Sequence, residues 1–96
     1  LDHDHELIQD LLGVFMDEYT RLLAELNQAV EAGQSPRRPA HGIKGMCRDV
    51  GATELAAWAA SLEHGDGEIQ ALTQKLNDAL PSLQAEISQQ LSETRV

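Results

Sequence analysis

The sequence predicts an all-α protein, an antiparallel up-and-down four-helix bundle in which residues 1–5 could add a short extra helix at the N-terminus. Leu, Ala, Glu and Gln dominate the composition and aromatic residues make up only 3%, which favours helices over strands. Apolar residues recur at spacings of three and four in four separate segments, as on the buried face of amphipathic helices. The breaks between these segments are short, and short connections are typical of antiparallel neighbouring helices.

The first two predicted helices cover approximately residues 6–32 and residues 36 or 39 to 49. Gly33 should end the first helix, because glycine readily adopts the left-handed conformation that follows many helices. The second helix can begin at Pro36 or at Pro39, since a proline disfavours helical geometry in the residue before it. The apolar stripe of the first helix comprises Leu7, Leu11, Phe15, Leu22, Leu26 and Ala29.

The last two predicted helices cover approximately residues 52–64 and 67–93. Pro81 lies inside the fourth helix and should bend it, because proline removes a backbone donor and crowds the preceding turn. The residues that we expect to be buried in the third helix are Leu55, Leu62 and either Trp58 or Ala59. The apolar stripe of the fourth helix comprises Ile69, Leu72, Leu76, Leu80, Leu83, Ile87 and Leu91.

Length and charge limit the possible functions. Ninety-six residues suit one domain with one core, and a net charge of −9 argues against a nucleic-acid partner. No apolar run approaches the roughly 20 residues of a membrane span, so we expect no direct membrane contact. The single Cys47 cannot form an internal disulfide, which suits a reducing compartment. Because the chain begins with Leu1 rather than Met, a piece of a longer protein is one expectation, and removal of the N-terminus by processing is the other.

Residues 40–51 form the segment that carries chemistry. On a helix with about 100° between successive residues, its apolar side chains fall on one side and predict the buried face. This buried face comprises Ile43, Met46, Cys47 and Val50. The opposite side, which we expect to be exposed, comprises His41, Lys44, Gly45 and Arg48.

Positive charge is concentrated around His41. Four of the seven Lys and Arg residues lie between positions 37 and 48, namely Arg37, Arg38, Lys44 and Arg48. A positive patch on an acidic protein would attract a phosphate group or an acidic partner, although the three arginines could equally be solvated surface residues. Gly42 and Gly45 should leave the helix surface bare. A glycine inside a helix costs about 0.5–1 kcal/mol relative to alanine, so access for a partner is a reason to keep Gly45.

This arrangement suits the transfer of a phosphoryl group to nitrogen. A neutral imidazole is a nucleophile near pH 7 and requires no separate general base. Lys44 could offset charge on the phosphoryl oxygens during transfer. The sequence has no phosphate-binding glycine loop of the Walker type, so we expect no autonomous kinase activity.

The run His41-Gly42-Ile43-Lys44-Gly45 resembles the histidine phosphotransfer (HPt) family, whose pattern is His, any residue, an aliphatic residue, Lys and Gly. The family's later glycine and leucine positions are matched by Gly51, by Leu55 and by the pair Leu62-Glu63. The resemblance implies a four-helix bundle with a phosphate-accepting His41 exposed on the second helix. It also implies that Lys44 supports the phosphoryl group and that Gly45 clears space for a response-regulator receiver domain.

The resemblance further implies a phosphorelay intermediate, which accepts a phosphoryl group from one receiver aspartate and passes it to another. No intrinsic cofactor is implied, and the Mg²⁺ would be bound by the receiver domain. Many HPt domains form the C-terminal part of a hybrid sensor histidine kinase, so we expect a cytoplasmic domain even where the parent kinase is anchored in a membrane. In isolation we expect a monomer. The residues expected to contact the receiver are Gly42, Gly45, Arg48, Arg37 and Arg38.

Two other functions compete with this interpretation. A kinase dimerisation domain normally has an acidic residue after its histidine, whereas Gly42 follows His41 here. A helical adaptor could bind receiver domains without phosphotransfer, but such a protein would more often have lost His41 or Lys44. His3 and His5 lack a defined ligand set, so we expect no metal site there.

Overall fold

A computed structural model describes the backbone of residues 2–93 and the side chains of residues 10–89. The described backbone forms four α-helices: α1 (Asp2–Glu31), α2 (Arg37–Asp49), α3 (Thr53–His64) and α4 (Ile69–Glu93). The prediction of an all-α fold is confirmed. Within the described residues α1 is continuous from Asp2, so no separate short helix precedes it. None of the described helices is long and apolar enough to cross a membrane.

The four helices form a closed ring of neighbours. Each helix packs against the next one in sequence, and α1 packs against α4, so the order around the bundle is the order along the chain. Short connections make consecutive helices antiparallel, which is the predicted up-and-down topology. The first and last helices are about twice as long as the middle two: α1 has 30 residues and α4 has 25, whereas α2 has 13 and α3 has 12. Helices α1 and α4 therefore extend past the α2–α3 turn.

The turn between α2 and α3 is closed at Gly51. This residue has a φ of 81°, in the left-handed region that glycine adopts without a steric cost. The amide of Ala52 donates to the carbonyl of Cys47 at 2.8 Å, and the amide of Gly51 donates to the carbonyl of Arg48 at 3.2 Å. These two bonds satisfy carbonyls that the end of α2 leaves free. The tight turn lays α3 directly alongside α2.

The core lies along the inner faces of all four helices. Its fully buried large side chains are Tyr19, Leu26, Ile43, Leu76 and Cys47. In α3 the structure buries Ala59 and leaves Trp58 half-buried, with the Lys75 ammonium 5.5 Å from the centre of its indole ring. This resolves the alternative that the sequence left open for these two residues.

Three residues predicted to lie in the core are exposed instead. Val50 follows the last residue of α2, where the chain turns away from the bundle. Leu11 lies on α1 near the end that extends past the α2–α3 turn, and Ile69 is the first residue of α4. All three lie where a helix begins, ends or extends past the α2–α3 turn, so helical periodicity alone overstates their burial. The side chains of Leu7 and Leu91 lie outside the described residues.

Polar contacts join α1 to α4. The hydroxyl of Tyr19, whose side chain is fully buried, donates to the carbonyl of Leu76 at 2.7 Å. About two turns further towards the C-terminal end of α1, the side-chain amide groups of Asn27 and Asn77 each donate a hydrogen bond to the other at 2.9 Å. Pro81 lies inside α4 as predicted from the sequence, and its missing N–H leaves the carbonyl of Asn77 without the usual intrahelical donor.

We expect Tyr19→Phe to lower the free energy of unfolding by about 1 kcal/mol, because an intramolecular hydrogen bond contributes about that much on balance. The substitution keeps the aromatic ring, which stacks on Phe15 with the ring centroids 6.0 Å apart. Urea denaturation followed by circular dichroism measures the change. A variant as stable as the wild type would show that the hydroxyl contributes nothing to the α1–α4 contact.

Candidate functional site

His41 lies on α2 with 68% of its side chain exposed, as the helical wheel predicts. It lies ten positions before Gly51, and Glu63 on α3 lies twelve positions after Gly51. Because the two helices run antiparallel from this turn, His41 and Glu63 come level with each other. The imidazole Nδ1 is 2.5 Å from Glu63 Oε2, which is a hydrogen bond between the two helices.

Glu63 joins two of the candidate residues. Its other carboxylate oxygen, Oε1, accepts a hydrogen bond from the Lys44 ammonium, and only 10% of the Glu63 side chain is exposed. The pKa of Glu63 is lowered from 4.5 to about 2, mainly by the hydrogen bond from Lys44. The hydrogen bond from His41 lowers this pKa further, whereas desolvation of the carboxylate raises it. The carboxyl group is therefore ionised at neutral pH.

The ionised carboxylate determines which imidazole nitrogen is free. A carboxylate can only accept hydrogen bonds, so the Nδ1 that it contacts must carry a proton. In the neutral ring this places the lone pair on Nε2. The histidine thus has one nitrogen held against the protein and one available as a nucleophile.

The prediction that Lys44 is exposed is wrong. Only 13% of its side chain is accessible, because it lies on the side of α2 that faces α3 and extends to Glu63. The helical wheel correctly placed Lys44 outside the apolar face of α2. It could not show that α3 covers this side of α2, because a wheel describes one helix alone. Lys44 is therefore held beside His41 by a shared carboxylate.

The two glycines that flank His41 and Lys44 have different surroundings. A Cβ added to Gly42 would lie 3.0 Å from Leu22 Cδ1, so Gly42 allows α1 to approach α2 closely. The prediction that Gly42 leaves bare surface is therefore wrong. A Cβ added to Gly45 would meet nothing within 4 Å, and Gly45 is exposed. Only Gly45 leaves open surface beside His41.

The side chains of Arg37, Arg38 and Arg48 are all exposed on α2. Arg37 begins the helix, where its backbone amide donates to Ser35 Oγ at 3.3 Å. Within the described side chains, none of the three guanidinium groups forms a hydrogen bond or an ion pair with an acidic residue. The surface around His41 therefore keeps positive charge that the fold does not neutralise.

Glu63 was missing from the residues proposed as functional from the sequence. It entered only as part of the Leu62-Glu63 match, with no role assigned. Glu63 and His41 lie at similar numbers of positions from Gly51, on either side of it. In an antiparallel pair of helices this spacing would have placed their side chains at one level. The side chains of His3 and His5 lie outside the described residues. Among the described ones, no three His, Cys, Asp or Glu residues are grouped to hold a metal ion.

An exposed histidine on one helix of a four-helix bundle, with a lysine and a carboxylate beside it, is the arrangement expected of a histidine phosphotransfer domain. The model of the Hpt domain family matches residues 10–94, and the chain belongs to this family. Its role is therefore in histidine phosphorelay signalling, in which domains of this family interact with receiver domains. No match was found among curated proteins or among solved structures.

We expect the stability that Glu63 contributes to depend on pH. Because folding lowers its pKa from 4.5 to about 2, this contribution is present above about pH 4.5 and is lost as the pH falls towards 2. Urea denaturation between pH 7 and 2.5 should show the wild type approaching Glu63→Gln as the carboxyl becomes protonated. Glu86→Gln, which removes an exposed carboxylate from α4, serves as the control. A stability difference between wild type and Glu63→Gln that stays constant over this range would contradict the ion-pair geometry.

The two glycines provide a matched pair of variants. We expect Gly45→Ala to raise the free energy of unfolding by about 0.5–1 kcal/mol, because the methyl group enters open space and alanine favours the helix. Gly42→Ala should be less stable than Gly45→Ala, since Leu22 must move. Thermal or urea unfolding compares them. Equal stabilities of the two variants would mean that Gly42 is not a packing residue.

Proposed function

We propose that this domain is a phosphorelay intermediate in which His41 Nε2 accepts a phosphoryl group from a receiver aspartate and passes it to the aspartate of a response regulator. The observation that supports this most is the hydrogen bond between His41 Nδ1 and Glu63. It leaves the opposite nitrogen as the only free nucleophilic atom of a largely exposed ring. The domain would act as a carrier and would not itself take phosphate from ATP.

In the proposed step a bond forms between Nε2 and phosphorus while the bond between phosphorus and the aspartyl oxygen breaks. The leaving carboxylate keeps the electron pair, and the imidazole ring gains a positive charge because Nδ1 remains protonated. The ionised Glu63, in contact with Nδ1, stabilises that charge. Transfer to the next receiver is the same step in reverse, so no proton has to be removed or supplied.

Lys44 is proposed to stabilise the phosphoryl group. Its ammonium is held next to His41 by Glu63, which fixes its position before a partner arrives. A phosphoryl group on Nε2 would bring negative oxygens that compete with Glu63 for this ammonium. We infer that Lys44 shares its hydrogen bonds between the carboxylate and the phosphoryl oxygens in the phosphorylated protein.

The partner in this proposal is a receiver domain that brings its own Mg²⁺ and much of the catalysis. Arg37, Arg38 and Arg48 would meet acidic groups on the receiver, and Gly45 would let the receiver approach His41. We further propose that the domain is cytoplasmic, monomeric in isolation, and part of a hybrid sensor kinase. The roles proposed for the three arginines rest on their exposure and positive charge near His41, and the role of Gly45 rests on the open space around it.

The test mixes the protein with receiver domains that carry a labelled aspartyl phosphate. We expect acid-labile label to appear on the wild type, none on His41→Gln, and a transfer rate lowered by about 10–100-fold in Lys44→Ala, because one positioned donor is lost. Circular dichroism checks that both variants remain folded, and Lys44→Arg, which keeps the charge, should restore part of the rate.

Two results would contradict the proposal. Label that persists in His41→Gln would place the phosphoryl group elsewhere. Receivers that bind the wild type but never transfer label would favour the adaptor function, in which the bundle only docks its partner.

A further inference from the structure

We propose that the groove between α1 and α4 binds an extended segment of another polypeptide, mainly through the peptide groups of that segment. The groove lies between α1 and α4, whereas His41 lies on α2 beside α3. Its volume is about 730 Å³, within the range of sites that hold ligands. Binding there goes beyond the proposed phosphotransfer, because no step at His41 requires it.

The groove runs from the Asn27–Asn77 pair towards one end of the bundle. At that end α1 stops at Glu31 and α4 begins at Ile69. On α4 the lining residues extend from Gln70 to Asn77, which are seven positions apart, or about 10 Å along the helix axis. An extended chain advances about 3.3 Å per residue, so three residues of a peptide fit this length.

The lining of the groove is polar and nearly uncharged. Four of its seven lining residues carry a side-chain amide, namely Asn27, Asn77, Gln70 and Gln74. Glu31 is the one charged residue in the lining, since among the described residues neither lysine nor arginine reaches the groove. A phosphate or another anion would therefore find no cation to offset its charge, which argues against an anionic ligand.

The amide side chains offer hydrogen-bond donors and acceptors together. Asn77 uses both hydrogens of its amide nitrogen, one on Asn27 and one on the carbonyl of Thr73. Asn27 uses only one of its two hydrogens, and the amide oxygens of this pair each accept a single bond. Gln74 donates one hydrogen to Asp78 at 2.8 Å and keeps the other. A peptide group carries one donor beside one acceptor, so it complements this mixture, whereas an ion does not.

The spacing of the two glutamines matches the repeat of an extended chain. Gln70 and Gln74 are four residues apart on α4, which places them on one face and about 6 Å apart along the axis. Peptide groups that point the same way in an extended chain are about 6.6 Å apart, because they alternate. Each glutamine can therefore meet one peptide group of the same edge. A sugar also carries donors and acceptors, but its hydroxyl groups are much closer together.

Thr73 on the wall of the groove gives a second reason to expect a ligand. This residue is 7% exposed, and its hydroxyl has no hydrogen-bond partner among the described residues, not even a carbonyl of the preceding turn of α4. A buried hydroxyl without a partner destabilises a fold, and a valine of the same shape would avoid that cost. The oxygen is covered in this conformation, but threonine in a helix has two favoured χ1 rotamers. Rotation about χ1 would let a bound peptide group supply the missing partner.

The remaining lining residues indicate which side chain the peptide carries. Glu31 is exposed and, within the described side chains, forms no ion pair, so it would attract a lysine or arginine. Val30 is half-buried beside it and would contact the aliphatic part of such a side chain. The net charge of −9 also favours a basic segment.

A titration of the ¹⁵N-labelled protein with the peptide acetyl-Ala-Lys-Ala-amide, followed by NMR, tests this proposal. We expect saturable shifts of the backbone amide signals of residues 27–31 and 70–77, with a Kd of about 1 mM or lower for so small a ligand. The signals around His41 should not move. The same peptide with methylated backbone nitrogens keeps its charge but loses its donors, so its Kd should be about tenfold higher or more.

Thr73→Val separates binding from stability. Because it removes a hydroxyl that has no partner, the midpoint of urea unfolding should stay equal or rise, whereas the Kd for the peptide should rise about threefold or more. Gln74→Ala should raise the Kd by a similar factor. Gln84→Ala is the matched control, since Gln84 is exposed on α4 outside the groove and should leave the Kd unchanged.

Three results would overturn the proposal. Equal binding of the methylated peptide would reduce the interaction to attraction between charges. Wild-type affinity in both Thr73→Val and Gln74→Ala would place the peptide elsewhere. Shifts at the groove with glucose but none with the peptide would assign the groove to a polyol. Labelling of His41 by a phosphorylated receiver is measured separately, so the failure of either proposal leaves the other standing.

Discussion

The arrangement of the site depends on one carboxylate that two side chains share. Glu63 accepts a hydrogen bond from Lys44 with one oxygen and from His41 with the other, and thereby fixes a cation and a nucleophile relative to each other. Without it, Lys44 would have its ordinary side-chain freedom and either nitrogen of His41 could carry the proton. The carboxylate itself is kept ionised by the two groups that it orders, so the three residues depend on one another.

The bundle divides its two tasks between different pairs of helices. Polar bonds between α1 and α4, made by Tyr19 and by the two asparagines, hold the long helices together away from the site. The shorter helices α2 and α3 carry His41 and Glu63 and hold them in position through the core residues Ile43 and Cys47, which are fully buried. A partner can therefore cover α2 without disturbing the contacts that keep the bundle closed.

The sequence allowed the fold class and the nucleophile to be predicted, because helical periodicity and the surroundings of His41 are local properties. Properties that depend on a neighbouring helix could not be read from it. Lys44 is covered by α3, Gly42 is packed against Leu22, and Val50, which follows the last residue of α2, is exposed. Glu63 was missed for the same reason: its role arises only when the turn at Gly51 brings two distant segments side by side.

The turn at Gly51 has a consequence for how such domains can vary. Each residue inserted into α2 after His41, or into α3 before Glu63, would shift one of these two side chains along its helix axis and rotate it by about 100°, which would separate them. The connections before α2 and after α3 carry no such requirement, since neither joins two members of the site. Lengthening of loops and insertion of peptide tags should therefore be tolerated at residues 32–36 and 65–68, while the helical segments that join His41 and Glu63 to the turn at Gly51 are fixed in length by the chemistry that they align.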